Sequence, residues 1–239
     1  GIGLGDTTVG GFQLSGTELQ LLTATTLELA TAGNVTVDSI SATNSNNVTN
    51  LTIDAVGAIT FAAAKSTFNA LNVESNDAVN ANVDIETDVG ALLIDANDDN
   101  AAAGTNLLTV AGGVTLTSAA GITLDATTGG ITFTAAGNLA AVNGVTINDA
   151  VAATAGTLTI DADTDNDGTG TFTTIATGTI NSTGQTLDIT AGDVVIGGAV
   201  TAATLINITD SDGGGIGLGD TTVGGFQLSG TELQLLTAT

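Results

Sequence analysis

The sequence predicts an all-β fold, a parallel β-helix (β-solenoid) with right-handed winding. Three observations favour it. Short sequence motifs, here called words, recur along the 239 residues. In each word apolar residues alternate with Thr or Asp, and this two-residue period is that of a strand. Gly, Asn, Asp and Ser, which suit tight turns, separate these words. No segment carries the 3.6-residue apolar stripe of a substantial helix; the best helical candidate, Gly16 to Leu29, has a Thr-rich tail that argues against it.

The predicted strands follow one another along the whole chain. Their middle apolar residues, such as Val37, Ile53, Ile94, Leu124 and Ile160, are expected to point inward. The segments 91–100 and 157–166 resemble each other and form a weaker internal repeat. The words are Val35–Val37, Leu51–Ala55, Ile59–Phe61, Val83–Ile85, Leu92–Ala96, Val114–Leu116, Ile122–Ala126, Ile131–Phe133, Val145–Ile147, Leu158–Ala162 and Leu187–Ile189.

A β-sandwich is the alternative architecture. A sandwich domain uses about 100 distinct residues with aromatic anchors, whereas this chain has six Phe and no Trp or Tyr. Small aliphatic residues suit the narrow interior of a parallel β-helix. Right-handed winding is the expectation for parallel crossovers. With about 20 residues per coil and about 4.8 Å between coils, we expect about ten coils and a rod of roughly 50 Å per repeat.

An exact internal repeat sets the domain organisation. The segments 1–25 and 215–239 are identical in sequence. The repeat predicts a tandem array, in which 1–214 is one β-solenoid unit and 215–239 is the start of the next; an artificially duplicated terminus is the alternative. Solenoid ends are normally closed by polar caps, and the apolar ends of this chain predict either a segment that continues on both sides or ends that pack on other copies.

Several of these words resemble a known family. GIGLGD, FQLSGTELQLL, LTIDA and LTIDADTDNDGTGTF are similar to the repeats of filamentous-haemagglutinin-like proteins, which are giant secreted bacterial adhesins exported by two-partner or related routes. The resemblance implies a right-handed parallel β-helix and an extracellular shaft. The segment itself shows neither the secretion domain of that family nor a receptor-binding module.

Composition excludes several classes of function. The chain holds 25 acidic residues and one base, Lys65, for a formal charge of −24, and it has no His or Cys. Most nucleophilic and acid–base chemistry depends on residue types that are missing here, so we expect no enzyme and no catalytic residues. The lack of a basic patch argues against nucleic-acid binding. No apolar run approaches the roughly 18 residues of a membrane span, so membrane insertion is not expected.

One acidic loop predicts a metal site. Asp163, Asp165, Asp167 and Gly168 match the start of a calcium-loop pattern, and Ca²⁺ prefers such hard oxygen ligands. Asp161 completes the predicted ligand set. The twelfth loop position is Thr174, where the pattern has a bidentate Glu, so a solvated turn is the alternative.

Two further sets of acids are candidates. Asp95, Asp98 and Asp99 form a poorer version of the same loop and a second, weaker metal candidate. Carboxylates that follow the strand words would form a partial ladder if the words stack in register; they are Asp38, Asp54, Asp95, Asp125 and Asp161. Like charges about 5 Å apart in water repel by about 1 kcal/mol. A long ladder should therefore be staggered or screened by cations.

The expected function is structural. The chain is predicted to be a non-catalytic shaft or filament segment of a giant secreted fibre or adhesin, at the cell surface or outside the cell, with calcium as the candidate ion. Its main partner would be another copy of itself, joined head to tail. The alternative is a calcium-dependent adhesin module that binds carbohydrate or a cell surface directly.

Overall fold

The chain forms a parallel β-helix, as the sequence predicts. The computed structural model describes residues 1–6, 11–182, 185–202, 204–219 and 225–238. Their strands form three long sheets, which we call A, B and C, and one separate pair. All strand pairings among these residues are parallel, which rules out the antiparallel sandwich.

Each sheet stacks its strands one after another along the axis. Sheet A contains β2 (Phe12–Leu14), β1 (Ile2–Gly5), β4 (Val35–Asp38), β6 (Ile59–Ala62), β9 (Ala78–Ala81), β12 (Leu107–Val110), β15 (Ile131–Phe133), β18 (Val151–Ala153), β21 (Ile180–Ser182), β24 (Val200–Ala202) and β28 (Leu236–Ala238). Sheet B contains β3 (Ala24–Thr31), β5 (Val48–Ala55), β8 (Leu71–Ser75), β11 (Leu92–Asp95), β14 (Ile122–Asp125), β17 (Val145–Ile147), β20 (Thr171–Thr174) and β23 (Asp193–Ile196). Sheet C contains β7 (Ser66–Phe68), β10 (Ile85–Thr87), β13 (Thr115–Ser118), β16 (Gly137–Ala141), β19 (Leu158–Asp161), β22 (Thr186–Ala191) and β25 (Leu205–Asp210). The separate pair is β26 (Ile216–Leu218) with β27 (Phe226–Leu228), and the helices are α1 (Gly16–Leu19), α2 (Ala42–Ser45) and α3 (Gly230–Leu233).

Each regular coil passes through sheet A, then sheet C, then sheet B. Thus β6, β7 and β8 form one coil, and β9, β10 and β11 lie against it. Apart from β2, each strand of sheet A from β1 to β24 belongs to a different coil, so nine coils begin before residue 215. At about 4.8 Å per coil, the unit is roughly 40 Å long. The expected number of coils is therefore slightly too high, and the average coil is longer than expected.

The core is a column of aliphatic side chains with a few aromatic rings. The five middle residues predicted to point inward, Val37, Ile53, Ile94, Leu124 and Ile160, are all fully buried. Burying one such side chain stabilises the fold by about 1.5–3 kcal/mol. Five of the six Phe side chains are also fully buried; they are Phe61, Phe68, Phe133, Phe172 and Phe226.

One core ring requires a glycine beside it. A Cβ atom at Gly137 would lie 2.3 Å from Cδ1 of Phe133, so only glycine leaves room for that ring.

Single helical turns replace sheet C in the first two coils. α1 lies against α2, and α2 lies against β7. Ser15 caps α1, because its Oγ accepts from Glu18 N (3.3 Å) while Glu18 Oε2 accepts from Ser15 N (2.9 Å). The candidate helix from Gly16 to Leu29 is thus a helix only in its first turn, and β3 follows.

The two copies of the repeated sequence form the same local structure. Ile2 pairs with Phe12, and the equivalent Ile216 pairs with Phe226. Each strand pair leads into a one-turn helix with the same capping box.

Candidate metal site and acidic column

Two coils are longer than their neighbours because each carries an acidic loop. The coil from Ile59 to its sheet A partner Val79 is short, whereas the next coil continues from Val79 to Leu108. The extra residues of that longer coil lie in the Asn97 loop (residues 95–106). A later coil, which ends at Ile180, is long for the same reason and contains the Asp163 loop (residues 161–170). The two loops belong to the segments that resemble each other in sequence.

The Asp163 loop folds around its own backbone. Asp161 ends β19, and its Oδ1 accepts from the backbone N–H of Asp163 (3.2 Å). Asn166, at φ 57°, turns the chain back so that its N–H donates to Asp163 O (3.0 Å). Asn tolerates this left-handed conformation better than most residues. The turn directs the Asp163 side chain into the protein.

Asp163 is fully buried, and its two carboxylate oxygens differ. Oδ2 accepts from Gly168 N (2.8 Å) and from Ser211 Oγ. Oδ1 is buried without a hydrogen-bond partner among the described residues. A buried charged oxygen with no donor is costly unless a proton or a cation compensates it.

The carboxylates of Asp165 and Asp167 approach the same point. Their oxygens and one of Asp163 all lie within 4.8 Å of one another, and Asp165 and Asp167 are exposed to solvent. Within the described ranges, this is the only group of three or more acidic side chains with that geometry. Three hard oxygens at one point are suitable ligands for a metal ion.

The protonation of the cluster is unequal. Burial alone would raise the pKa of Asp163, but hydrogen bonds from Ser211 and Gly168 outweigh it, so the pKa lies below the usual range. Desolvation, the contact with Asp163 and the charge of Asp167 raise the pKa of Asp165. Asp163 therefore keeps its charge, and Asp165 is the member of the cluster that is harder to ionise.

Three of the four predicted ligands lie together in the structure. Asp161 lies outside the trio, because its carboxylate is engaged with the loop backbone. Thr174, at the twelfth loop position, is buried in β20, where its Oγ1 accepts from Gly197 N (3.1 Å).

Sequence reasoning missed two neighbours from the turn after β25. Ser211 donates to Asp163, and the carboxylate of Asp212 lies beside Gly168, where a Cβ would be 2.7 Å from Asp212 Oδ2. The signal was the word Asp210-Ser211-Asp212-Gly213, which is as acidic and glycine-rich as the Asp163 loop.

The Asn97 loop does not gather its acids. Oδ1 of Asp95 accepts from Asn97 N (2.9 Å), and Oδ1 of Asp99 accepts from Ala101 N (3.0 Å). Asp98 and Asp99 are exposed, and Asp95, Asp98 and Asp99 do not form a three-carboxylate cluster. The buried polar side chains of this loop are the neutral Asn97 and Asn106.

A column of four carboxylates follows sheet B. The parallel register places Asp54 beside Glu74, Glu74 beside Asp95, and Asp95 beside Asp125. Neighbouring strands are about 4.8 Å apart, so the column is continuous and is not staggered, contrary to one of the two expectations. Glu74 was absent from the predicted ladder.

Two members of the predicted ladder lie on other sheets. Asp38 ends β4 in sheet A, beside Gly5 and Ala62. Asp161 ends β19 in sheet C, beside Ala140 and Thr190.

Burial and the neighbouring acids raise the pKa of Asp95, near the centre of the column. Burial is the largest cause, and the charges of Asp125, Asp98 and Glu74 add to it, so that the pKa of Asp95 rises to about 6 even though it accepts a backbone hydrogen bond from Asn97. Asp149 stands at the corner next to Asp125; burial and its contact with Asp125 raise its pKa as well. Asp95 and Asp149 therefore bind protons at a higher pH than ordinary aspartates do.

Comparisons with protein-family models, with curated proteins and with solved structures found no match. None of the helices formed by the described residues is long and apolar enough to cross a membrane.

Proposed function

We propose that this chain is a non-catalytic structural segment of a long fibre or adhesin shaft, at the cell surface or outside the cell. The observation that carries the proposal is the combination of three continuous parallel sheets with a sequence that begins again, without substitution, at residue 215. A solenoid lengthens along one axis as coils are added. Repeated units of this kind therefore make a rod of increasing length.

The acidic surface supports a shaft that stays separate from its neighbours. The formal charge is −24, and the single base, Lys65, forms its ion pair with Glu86. A large net charge of one sign keeps proteins soluble and mutually repelling. The resemblance of the repeat words to adhesin shafts points the same way.

We infer further that the cation of the Asp163 loop is Ca²⁺. The cluster offers only oxygen ligands, and two of the three carboxylates face solvent, where water completes the coordination. Ca²⁺ accepts six to eight oxygens in flexible geometry, whereas Mg²⁺ demands a near-ideal octahedron. A loop with one buried and two exposed carboxylates fits the less demanding ion.

The shaft proposal is tested by length. When the chain is extended by one and then two further units, each a copy of 1–214, we expect the largest dimension in small-angle X-ray scattering to rise by roughly 40 Å per unit. A matched series with about 20 Gly/Ser residues between units provides the dimensions of separate domains on a flexible chain. Equal dimensions in the two series would overturn the shaft proposal.

A further inference from the structure

The repeated sequence occurs in two different surroundings in this chain. Phe12 is 56% exposed, whereas the equivalent Phe226 is 1% exposed. Leu21 and Leu22 are 81% and 38% exposed, whereas their counterparts Leu235 and Leu236 are only partly exposed and pack against the core. Since the sequences are identical and both copies share the strand pair and the capped helical turn, the difference comes from what lies against each copy.

The reverse difference is equally large on the other side of the segment. Leu19 is 1% exposed and the equivalent Leu233 is 41% exposed; Leu4 is fully buried and Leu218 is 60% exposed. The coil that follows covers Leu4 and Leu19 in the first copy, through β4 and α2. The first copy is thus covered on the side of Leu4 and Leu19, and the second copy is covered on the opposite side, at Phe226.

The second copy shows which surface covers Phe226. β27 lies against β23, the last strand of sheet B, and Asp193 Oδ1 accepts from Gln227 N (3.0 Å). Glu232 Oε1 accepts from Ile196 N (3.0 Å) while its Oε2 accepts from Ser229 N (2.8 Å), so the capping residue of α3 also binds the coil beneath it.

A third contact continues sheet A. Val200 N donates to Leu235 O (2.8 Å), and β28 pairs with β24, with Thr201 opposite Thr237. The covering surface is therefore formed by β23 and β24, the last strand of sheet B and the strand of sheet A that follows it.

The contacts also place the parts of the second copy on particular sheets. In the first copy, β2 and β1 belong to sheet A, and Ala24 begins β3 of sheet B. In the second copy, their counterparts β27 and β26 form a pair whose inner strand, β27, lies against β23 of sheet B, and Ala238 pairs with Ala202 of sheet A. The strand pair of the new unit therefore lies over sheet B of the unit before it.

We propose that the exposed side of the first copy, formed by Phe12, Leu21 and Leu22, is the docking surface for the β23–β24 end of another copy of this unit, with the β1–β2 pair of one unit lying against β23 of the other. The proposal rests on the shaft function, because it specifies how successive units join. Gln13 N then donates to Asp193, Glu18 accepts from Ile196 N, and Leu21 O accepts from Val200 N. A head-to-tail contact of this kind does not close, and it builds a filament.

In the 239-residue chain, its own second copy already occupies the β23–β24 end. Freeing that end should therefore create intermolecular association. Phe226→Asp with Leu236→Asp places two charges in the covered side and should turn a monomer into end-to-end oligomers in sedimentation equilibrium. Adding Phe12→Asp with Leu22→Asp to the same chain should restore the monomer.

The matched control places the same two charges on the other side of the segment. Leu218→Asp with Leu233→Asp should leave the chain monomeric, because these side chains are already 60% and 41% exposed. Far-UV circular dichroism verifies that each variant keeps its β-structure. A folded Phe226→Asp/Leu236→Asp chain that stays monomeric, or one that still oligomerises without Phe12 and Leu22, overturns the docking proposal.

Cysteine pairs test which strands meet at the junction, since the chain has no cysteine of its own. In the Phe226→Asp/Leu236→Asp chain, Thr23→Cys and Thr201→Cys should form an intermolecular disulfide, because Thr23 is the counterpart of Thr237. Gln13→Cys with Thr201→Cys should cross-link only if sheet A continues sheet A. Efficient cross-linking of that second pair contradicts the placement of the β1–β2 pair against β23. Scattering from the extended chains would still report a rod in that case, so the junction and the shaft fail separately.

Discussion

The Asn97 loop and the Asp163 loop begin with the same backbone turn but bury different side chains beneath it. In each, an Asp at the end of a strand accepts a hydrogen bond from the N–H two residues later. Asn100 (φ 53°) and Asn166 (φ 57°) both adopt the left-handed conformation, and each donates its N–H to the carbonyl three residues back. The residue under that turn is Asn97 in one loop and Asp163 in the other.

Hydrogen bonds satisfy the side-chain amide of Asn97, but they leave one oxygen of the Asp163 carboxylate without a donor. The side-chain oxygen of Asn97 accepts from Thr128 Oγ1 (2.9 Å). Its amide N–H₂ donates to Ala101 O (3.2 Å) and to Asp99 Oδ1 (3.1 Å). Asp163 has no hydrogen to donate, and its Oδ1 lacks a partner in the described structure. One turn is thus closed by its own hydrogen bonds, whereas the other brings together three carboxylates that could hold a metal ion.

The first residue of each loop also has different neighbours. Asp95 lies between Glu74 and Asp125 on sheet B. Asp161 lies between Ala140 and Thr190 on sheet C. The same loop therefore begins in a column of negative charge at one corner and beside uncharged residues at the other.

The largest expected effect is stabilisation by Ca²⁺ through the Asp163 loop alone. Free Ca²⁺ at 100 times its dissociation constant should stabilise the folded chain by about 2.7 kcal/mol, because it binds the folded state. Asp165→Asn with Asp167→Asn should abolish the rise in Tm that Ca²⁺ causes in differential scanning calorimetry.

The control makes the same change in charge at the equivalent loop. Asp98→Asn with Asp99→Asn should leave the Ca²⁺-dependent rise in Tm intact. If Ca²⁺ stabilises this control and the Asp165/Asp167 variant equally, binding occurs elsewhere and the Asp163 loop is only a turn.

The next effect is on pH dependence, and it concerns Asp95. Burial and the neighbouring acids raise its folded-state pKa from 3.8 to about 6, so the folded chain binds this proton more tightly than the unfolded chain. The group destabilises the fold fully above pH 6, and the destabilisation disappears as the pH falls from 6 towards 4. After allowance for solvent screening, we expect about 1 kcal/mol.

Asp95→Asn should therefore raise the Tm at pH 7 and reduce the gain in Tm between pH 7 and pH 5. Asp161→Asn is the matched control in the other loop, and both are measured with a chelator present. A wild-type Tm that falls steadily from pH 7 to pH 5, unchanged by Asp95→Asn, contradicts the destabilising role of the column.

Local chemistry made much of this predictable from the sequence. Alternating words predict strands, and the burial of Val37, Ile53 and Leu124 follows from that alternation. Asp163, Asp165 and Asp167 alternate within one turn, so their convergence needs no knowledge of the winding.

Contacts between coils were not predictable, because the length of a coil varies. Ile2 pairs with Val35 in the first coil, whereas Ile59 pairs with Val79, a much shorter step along the chain. That variation decides that Glu74 joins the column on sheet B while Asp38 and Asp161 lie on other sheets. It likewise brings Ser211 to Asp163, which is far from it in sequence.

The smallest expected effect comes from making the Asp163 loop more like the Asn97 loop. Asp163→Asn keeps an acceptor for Gly168 N and Ser211 Oγ. It also adds an amide N–H₂ that can donate to the carboxylates of Asp165 and Asp167, whose oxygens lie within 4.8 Å of an oxygen of Asp163. Without Ca²⁺ the variant should be more stable than the wild type by about 1 kcal/mol, the usual net value of one hydrogen bond. It should also lose the rise in Tm on addition of Ca²⁺.

The control is Asp188→Asn, which removes the same charge elsewhere. The strand neighbours of Asp188 are Thr159 and Asn207, and this variant should change neither quantity. If Asp163→Asn is less stable than the wild type in chelator, the buried carboxylate is already satisfied by the protein, and the difference between the two loops does not indicate a cation site.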